Sequence, residues 1–534
     1  MVCLKNNMDS NVGEKNTRIA KNTIYLYIRM LITMVIGLYM ARVVLRVLGA
    51  SDYGLYNVVG GILSMFTMIS ASLTIGTQRF LSYAIGEGDD EKLKRTFSIA
   101  WGLHVFASLS IIVLAETVGL WFLRTYLNIP DGREIAAFWV YQFTIAGFIT
   151  TLLQVPFQSC IIAHERMNMY AYMSIYDAIM KLILIILIQY ISYDKLILYA
   201  ALVFITHLSS VIIYNVYCRR HYSECTFKII LDKKLTKEIV AYSGWNLFGG
   251  SLSLFTDQGI NILLNIFCGT LVNAARGIAM QVNTFVNAFI NNFQLAVNPQ
   301  IIKNFAAKEY ESMYRLVTNN GRIAVYLYLL IAIPLIVEID FVLKLWLGDY
   351  PQYTAIFVQI ILIQGIETPL NAPVGMCVHA SGKMKAPSIA VSLLFLDLPL
   401  SYILLKNGFS PIYVFILTAI IYLWRNGCNI YFANKYTGIP IKLIVKSVYL
   451  NTLLGGIMMY IIPLFVSYTM EQGWYRFLVV SSISIIWSLI IIYELGLTPG
   501  MKALIINKIS NHKLFLKNEN RSITHGSREQ HPEG

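Results

Sequence analysis

Long apolar segments recur along almost the whole chain, and they constrain its fold more than any other feature. A helix needs about 20 mainly apolar residues to cross a bilayer, and the sequence contains about 14 such segments. Only 13% of its 534 residues are charged, about half the fraction in soluble proteins. The sequence therefore predicts an all-α integral membrane protein, with spans near 23–47, 54–82, 96–122, 136–161, 169–192, 196–217, 240–267, 275–301, 320–345, 354–378, 386–405, 411–432, 443–467 and 475–497.

The basic residues predict how these spans are oriented. The formal net charge of +13 would indicate a nucleic-acid partner in a soluble protein. Here, however, the lysines and arginines cluster in the loops after the even-numbered spans and in both termini. Loops rich in lysine and arginine face the cytoplasm. We therefore expect both termini to be cytoplasmic, the opposite loops to be short, and nucleic acid not to be a partner.

Two parts of the sequence resemble each other at an offset of about 220 residues. Leu48–Gly54, before the second span, corresponds to Thr270–Gly277, before the eighth. Acidic segments follow both spans, at Gly86–Glu91 and Lys308–Glu311. Six spans separate the copies, so both copies have the same orientation in the membrane. This predicts two parallel six-helix lobes around a central cavity, followed by two additional C-terminal helices.

The predicted organisation has six regions. The lobes occupy 23–220 and 240–433, and a cytoplasmic linker at 221–239 joins them. A cytoplasmic N-terminus at 1–22 precedes them, and two additional spans at 434–497 and a polar cytoplasmic tail at 498–534 follow.

The eighth predicted span carries polar side chains along its whole length. They share a sector of about 80° on one helix face, and they are Arg276, Asn283, Asn287, Asn291, Gln294 and Asn298. Buried amides need hydrogen-bond partners, so this stripe lines either a wet cavity or a seam between helices. The arginine at its head favours a solute path. The repeat predicts a matching face on the second span, and we expect the two faces to meet; that face contains Asn57, Gly60, Ser64, Thr67, Ala71 and Gln78.

Ionisable residues inside spans are energetically expensive and indicate functional sites. Arg29, Arg79 and Arg276 are candidates for binding an anionic, sugar-bearing substrate, because guanidinium groups match phosphate and amides match hydroxyls. Arg79 has the alternative of extending to the membrane interface. Asp257, in the seventh span, and Glu367, between two prolines of the tenth, are the acidic candidates.

Other charged residues in the spans are expected to pair with each other. Asp177 and Lys181 are four residues apart on one helix, a spacing that favours an ion pair. Asp397 and Arg425, in the eleventh and twelfth spans, are expected to form a structural bridge.

Catalytic, nucleotide and metal motifs do not stand out. The seven cysteines form neither a C-x-x-C pair nor a zinc spacing. We therefore interpret them as small apolar residues rather than as a redox or metal centre. The sequence contains no G-x-x-x-x-G-K-[ST] and no H-E-x-x-H. We therefore expect no enzyme activity, cofactor or metal site, and transport is the remaining function.

Three segments resemble a known family. Leu48–Tyr56, Tyr242–Gly249 and Asn273–Gln300 are similar to stretches of bacterial polysaccharide or O-antigen flippases. These flippases form the polysaccharide-transporter branch of the multidrug/oligosaccharidyl-lipid/polysaccharide exporter superfamily. The resemblance covers about residues 20–500.

The resemblance implies both a function and a set of binding residues. It implies that two lobes move an undecaprenyl-diphosphate-linked oligosaccharide from the cytoplasmic to the outer leaflet of the bacterial inner membrane by alternating access. This step serves the assembly of surface polysaccharide or lipopolysaccharide. Arg29, Arg79 and Arg276 are then the residues that hold the pyrophosphate.

Three further points stay open at the level of sequence. Asp257 and Glu367 are candidates for coupling to H⁺ or Na⁺. A multidrug or cation antiporter of the related MATE type is the main alternative, although the first span lacks the acidic residue that some such exporters use. A non-catalytic scaffold for polysaccharide-assembly proteins is a third hypothesis. Membrane lipids are expected partners in each case.

Overall fold

The computed structural model describes residues 2–64, 66–125, 129, 132–226 and 232–503, and the regular structure within these ranges is helical. In chain order the helices are α1 (Val2–Ser64), α2 (Thr67–Glu87), α3 (Asp90–Thr125), α4 (Glu134–Ala163), α5 (Met167–Ile188), α6 (Lys195–His221), α7 (Lys233–Ala306), α8 (Tyr310–Val337), α9 (Ile339–Leu347), α10 (Thr354–Ser381), α11 (Lys385–Lys406), α12 (Ile412–Thr437), α13 (Ile441–Tyr468) and α14 (Trp474–Gly496).

Nine helices in the described ranges are long and apolar enough to cross a membrane. They are α3, α4, α5, α6, α8, α10, α11, α13 and α14. The other predicted spans lie on α1, α2, α7 and α12. The all-α membrane fold is thus confirmed, while the number of 14 spans stays a prediction. The polar tail lies largely beyond residue 503, outside the described residues.

Aspartates and glycines set several helix boundaries. The Asp89 side chain accepts a hydrogen bond from the backbone N–H of Lys92 at the start of α3, and Asp194 and Asp232 cap α6 and α7 in the same way. Such caps satisfy N–H groups that have no partner within the helix. Gly382 and Gly438 adopt the left-handed conformation at the ends of α10 and α12, which glycine does without steric cost.

The internal repeat is also visible in the backbone. Gly49 in α1 has φ 81° and ψ 165°, and Gly269 in α7 has φ 82° and ψ 178°. These residues lie 220 positions apart and interrupt the two longest helices at equivalent points. Gly88 and Lys308, also 220 positions apart, both have positive φ, at 71° and 60°. Equivalent conformations at an identical offset support the duplication that the sequence indicates.

The described chain forms two compact units. The first contains α1–α7 and α10–α12, and the second contains most of α8 together with α9, α13 and α14. Within the second unit Arg476 forms an ion pair with Glu338 at 2.8 Å, and Tyr326 donates to the Asn451 carbonyl at 3.1 Å. The predicted lobe boundaries, 23–220 and 240–433, stay a prediction.

The first unit contains most of both parts of the repeat. We call its helices α1–α6 the N-terminal half and its helices α7 and α10–α12 the C-terminal half. In the N-terminal half, buried residues of α4 form the centre of an apolar core. Tyr141 and Ile145 pack there with Val59 of α1 and Leu196 of α6. This packing fixes the helices that enclose the cavity of the N-terminal half.

Candidate functional site

A charged cavity of about 280 Å³ lies within the C-terminal half, among α7, α10, α11 and α12. Its lining includes two arginines and three carboxylates, which leave a formal charge of −1; they are Arg276, Arg425, Asp257, Glu367 and Asp397. Asn283 also lines it. The structure therefore brings together four of the sequence-predicted residues: Arg276, Asn283, Asp257 and Glu367.

Both arginines of this cavity are paired with carboxylates. Arg276 donates to the Asp257 carboxylate and, at 3.3 Å, to Asn261. Arg425 donates to both carboxylate oxygens of Glu367, through Nε at 2.9 Å and through Nη2. Two parallel bonds of this kind are the strongest geometry available to an arginine and a carboxylate. The charge of each arginine is thus balanced within the cavity.

Asp397 does not pair with Arg425, so the predicted bridge between them was wrong. Its carboxylate instead accepts hydrogen bonds from Thr418 at 2.8 Å and from Ser401 at 3.2 Å. Both α10 and α11 pack against α12, but Asp397 meets α12 at Thr418, seven residues before Arg425, whereas Glu367 contacts Arg425 itself. Asp397 therefore contributes a carboxylate whose described side-chain partners are hydroxyl groups.

A neutral cavity of about 680 Å³ lies within the N-terminal half, among α1, α2, α4 and α6. Tyr56, Thr144 and Gly147 line it, and Arg276, Gln364 and Glu367 line the charged cavity at positions 220 residues later. The two repeats therefore form cavities at equivalent places. Only the second carries acidic residues and arginines in its lining.

The predicted polar face of the second span contributes to this neutral cavity. Gly60, Thr67 and Ala71 line it. Gln78 is half-buried on α2, and the side chains of Asn57 and Ser64 lie outside the described residues. The meeting of this face with the stripe on α7 stays a prediction.

Arg29 connects α1 to the polar stripe. Its Nη2 donates to Asn292 at 2.6 Å and its Nη1 lies 3.5 Å from Ser174. The guanidinium carbon lies 4.8 Å from the centre of the Tyr170 ring. None of its described contacts is with a carboxylate, so the guanidinium group has no ion pair among the described residues.

Asn292 is a contact residue that the sequence reasoning missed. It is 7% exposed, whereas the predicted stripe residue Asn291, directly before it, is exposed. The Asn-Asn pair was the available signal, but an ideal helix of 100° per residue assigns Asn291 to the stripe.

Arg79 binds the end of a helix in the other half of the unit. It is 7% exposed, and it donates to the carbonyl oxygens of His379 at 3.2 Å and of Ala380 at 2.9 Å. These are the last carbonyls of α10, whose negative dipole end attracts a cation. The rings of Phe80, Tyr83 and Tyr242 surround the guanidinium group. The side chain is therefore buried between helices and does not extend towards solvent.

The remaining stripe residues retain hydrogen-bonding capacity. Asn287 donates to the backbone and side-chain oxygens of Asn283 at 3.0 and 2.9 Å. Gln294 Nε2 and Asn298 Oδ1 are buried without a hydrogen-bond partner among the described residues. Buried polar atoms of this kind generally find a partner, so this part of α7 can bind a polar solute.

A group of contacts, which we call the latch, joins the two halves along α2, and its charged part lies near the end of that helix. Glu165, whose side chain is 1% exposed, accepts a hydrogen bond from Lys303 of α7 at 2.6 Å and forms an ion pair with Arg18 of α1 at 2.7 Å. Ser72 of α2 donates to the Ser243 carbonyl of α7. A Cβ on Gly86 would lie only 2.6 Å from the Lys303 carbonyl oxygen, which shows how closely α2 and α7 approach.

Comparisons with known proteins agree with this architecture. A family model described as polysaccharide biosynthesis protein matches residues 19–340. The chain is similar to an outward-facing multidrug resistance MATE family transporter of the MOP superfamily, with 12% identity, a TM-score of 0.65, and coverage of 79% of this chain and 96% of that one. No match was found among curated proteins.

Two further solved structures have the same fold. The Vibrio cholerae MATE transporter VcmN in the bent form has 14% identity and a TM-score of 0.64, with coverage of 82% of this chain and 99% of that one. A MOP superfamily transporter from Pyrococcus furiosus, whose binding pocket is described as having reverse polarity, has 13% identity and a TM-score of 0.61, with coverage of 80% and 96%. Because the family model spans more than half of its length, this multi-pass membrane protein belongs to the polysaccharide biosynthesis protein family, and its fold is that of MATE and MOP superfamily transporters.

Proposed function

We propose that the protein moves an undecaprenyl-diphosphate-linked oligosaccharide from the cytoplasmic to the outer leaflet of the bacterial inner membrane, for surface polysaccharide or lipopolysaccharide assembly. The observation that carries this proposal is Arg29, an arginine within a predicted span that contacts an amide, a hydroxyl and an aromatic ring. An arginine at the centre of a membrane helix costs at least about 3 kcal/mol. A diphosphate would supply the missing negative charge.

The neighbours of Arg29 suit the rest of such a substrate. Its partner Asn292 lies on the same segment of α7 as the unpartnered amide atoms of Gln294 and Asn298. Amides donate to and accept from sugar hydroxyls, so the glycan would bind along this stripe. Arg79 and Arg276 already have protein partners. They bind the diphosphate only after a conformational change releases them.

The latch supports transport by alternating access. Ion pairs and close helix contacts hold the two halves together at the end that the basic residues predict to be cytoplasmic. In this conformation the substrate path would be closed on that side. Opening requires the Glu165–Lys303 ion pair and the contacts between Arg79 and α10 to separate. The cycle then alternates between this arrangement and one in which the latch is open.

The charged cavity provides a second site, which would bind a cation and couple its movement to transport. Asp257 and Glu367 are paired with arginines, whereas the described side-chain contacts of Asp397 are with hydroxyls. Binding of H⁺ or Na⁺ to these carboxylates would weaken their ion pairs with Arg276 and Arg425. Ion movement would in this way be coupled to the movement of the two halves. The net negative charge of this cavity also favours the alternative of a multidrug or cation antiporter.

Binding of the lipid diphosphate tests the proposal. Purified full-length protein in detergent is titrated with undecaprenyl diphosphate and with the uncharged lipid alcohol undecaprenol. We expect a preference for the diphosphate that falls at least about tenfold in Arg29→Ala, since hydrogen bonds to charged groups contribute about 1.5–3 kcal/mol. Arg79→Ala and Arg276→Ala are measured beside it.

Arg95→Ala is the control, because Arg95 is exposed and pairs with Glu91 one helical turn away. Equal binding of the two lipids by the unaltered protein, or unchanged diphosphate affinity in Arg29→Ala, would overturn the proposal. Proton- or sodium-driven uptake of cationic compounds by proteoliposomes, with no diphosphate preference, would establish the antiporter instead.

A further inference from the structure

Three of the seven cysteines come together at one end of the N-terminal half. Cys160 lies on α4, Cys218 lies near the end of α6, and Cys225 lies in the turn that follows α6. The Sγ atoms of Cys160 and Cys225 are 3.6 Å apart, and the Cys218 thiol contacts Cys225. All three are buried, free thiols.

A histidine and a carboxylate complete this cysteine cluster. His164 Nε2 lies 2.5 Å from Glu224 Oε1, and Cys160 Sγ lies 3.4 Å from the same oxygen. One ligand atom from each of these three residues lies within 4.8 Å of the others. The His164 ring stacks on Tyr222, with ring centres 4.3 Å apart, and this contact fixes the orientation of the imidazole.

We propose that Cys160, His164, Glu224 and Cys225 bind one Zn²⁺ ion. The ligand atoms of Cys160, His164 and Glu224 already lie within 4.8 Å of one another, and the metal would replace the hydrogen bond between His164 and Glu224. Cys225 Sγ lies 3.6 Å from Cys160 Sγ, close to the separation of about 3.8 Å between two sulfur ligands of tetrahedral zinc, and a rotation of its side chain would complete the set. Thiolate, imidazole and carboxylate are the ligands that zinc uses in proteins. Four protein ligands are characteristic of a structural zinc site.

The sequence pattern of the cluster explains why it escapes a motif search. Cys160 and His164 are four residues apart and so share one face of α4, the spacing of the two histidines in H-E-x-x-H. Glu224 and Cys225 are adjacent in sequence but follow some 60 residues later. Only the packing of α4 beside α6 brings the two pairs together.

The surroundings favour a metal over a disulfide. Arg219 and Arg220 directly follow Cys218, and basic residues at a helix end predict the cytoplasmic side. Thiols there stay reduced. Two thiolates and one carboxylate also balance the charge of a divalent cation to within one unit.

The zinc site would brace the latch. His164 directly precedes Glu165, which has a positive φ of 60° and forms ion pairs with Arg18 and Lys303. A metal that fixes His164 and the turn at Tyr222–Cys225 therefore fixes the backbone from which Glu165 reaches α7. Its role is structural, at the point where the two halves meet.

Metal analysis of the purified full-length protein tests this inference. After growth with added Zn²⁺ and purification in detergent without chelator, we expect one zinc per chain by mass spectrometry. Cys160→Ser, His164→Ala and Cys225→Ser should each lower zinc affinity by at least about tenfold. Cys268→Ser is the matched control, because Cys268 is a partly buried cysteine on α7, and it should retain the metal.

A spectroscopic measurement on the unaltered protein guards against variants that fail to fold. Replacement of zinc by Co²⁺ should produce the absorption bands of tetrahedral cobalt with thiolate ligands. Substoichiometric zinc together with the absence of these bands would overturn the inference. So would unchanged zinc affinity in folded Cys225→Ser, or a Cys160–Cys225 disulfide in the purified protein.

Discussion

The cavity of the C-terminal half contains arginine–carboxylate pairs, whereas the lining of the cavity in the N-terminal half contains neither arginine nor carboxylate. The contribution of such a pair to stability can be tested at Glu367 and Arg425. Both side chains lie in the charged cavity and form a bidentate ion pair. Glu367→Gln leaves Arg425 without its counter-charge, and breaking a buried pair in this way typically costs about 3–5 kcal/mol. We expect a clear fall in the thermal unfolding temperature of the detergent-solubilised protein.

The double variant Glu367→Gln, Arg425→Gln removes both charges and should recover most of the lost stability. Glu91→Gln, which breaks only the exposed Glu91–Arg95 pair, serves as the control and should leave the unfolding temperature unchanged. A double variant as unstable as Glu367→Gln would show that charge balance does not explain the pair. A stable double variant that no longer transports would place Glu367 in ion coupling.

At the same scale, local pairs were predictable and distant pairs were not. The expected ion pair between Asp177 and Lys181 is present at 2.8 Å, because two residues four positions apart in a helix are neighbours on its surface. The partner of Arg425 depends on which residues of the neighbouring helices lie level with it, and hydropathy does not contain that information. For the same reason the contact from Arg29 to Asn292 was missed, although both helices and the polar stripe were identified.

At the scale of helices, two glycines set the geometry of the repeat. Gly49 and Gly269 combine positive φ with ψ near 180°, a region that is essentially restricted to glycine. Gly49→Ala and Gly269→Ala should each cost about 1–3 kcal/mol, measured by thermal unfolding. The two losses should be similar, because the two residues are equivalent in the repeat.

Gly37→Ala is the control for these variants. Gly37 also lies in α1, its φ is not positive, and an added Cβ would meet no atom within 4 Å. Alanine favours the helix there, so we expect this variant to be at least as stable as the unaltered protein. Losses in Gly49→Ala and Gly269→Ala no larger than in Gly37→Ala would refute the backbone argument.

The sequence predicted the repeat at the helix scale. The segments around Gly49 and Gly269 were matched by composition and offset, and the flanking spans were expected to be separate. The backbone is non-helical at both glycines, so α1 and α7 are each two helices joined across a kink. A glycine signals only that unusual angles are permitted, so the sequence did not reveal that these junctions contain no longer loop.

At the scale of the whole molecule, the apolar segments and the family resemblance were sufficient for the fold, because membrane spans must satisfy their backbone hydrogen bonds internally. They were insufficient for the cavities. Tyr56 and Arg276 occupy equivalent positions in the two cavities, and no periodicity reveals that one position became charged. The zinc cluster likewise depends on the pairing of α4 with α6. Fold class is thus encoded locally, whereas these sites arise from helix neighbours.

The latch gives a prediction for the transport cycle. If alternating access requires α2 to separate from α7, a covalent bond between them should stop transport. A Cβ at Gly76 of α2 would lie 3.7 Å from the Ser243 Cβ of α7, a separation that suits a disulfide. Gly76→Cys, Ser243→Cys should therefore form a disulfide under oxidation. We expect proteoliposomes with this variant to lose flipping of a lipid-linked oligosaccharide when oxidised and to regain it after reduction.

The controls are the unaltered protein under the same oxidant and Asn371→Cys, Asn429→Cys, whose native side chains are 2.7 Å apart within the C-terminal half. Both should remain active when oxidised. Full activity of the cross-linked Gly76→Cys, Ser243→Cys protein would mean that these helices do not separate during transport.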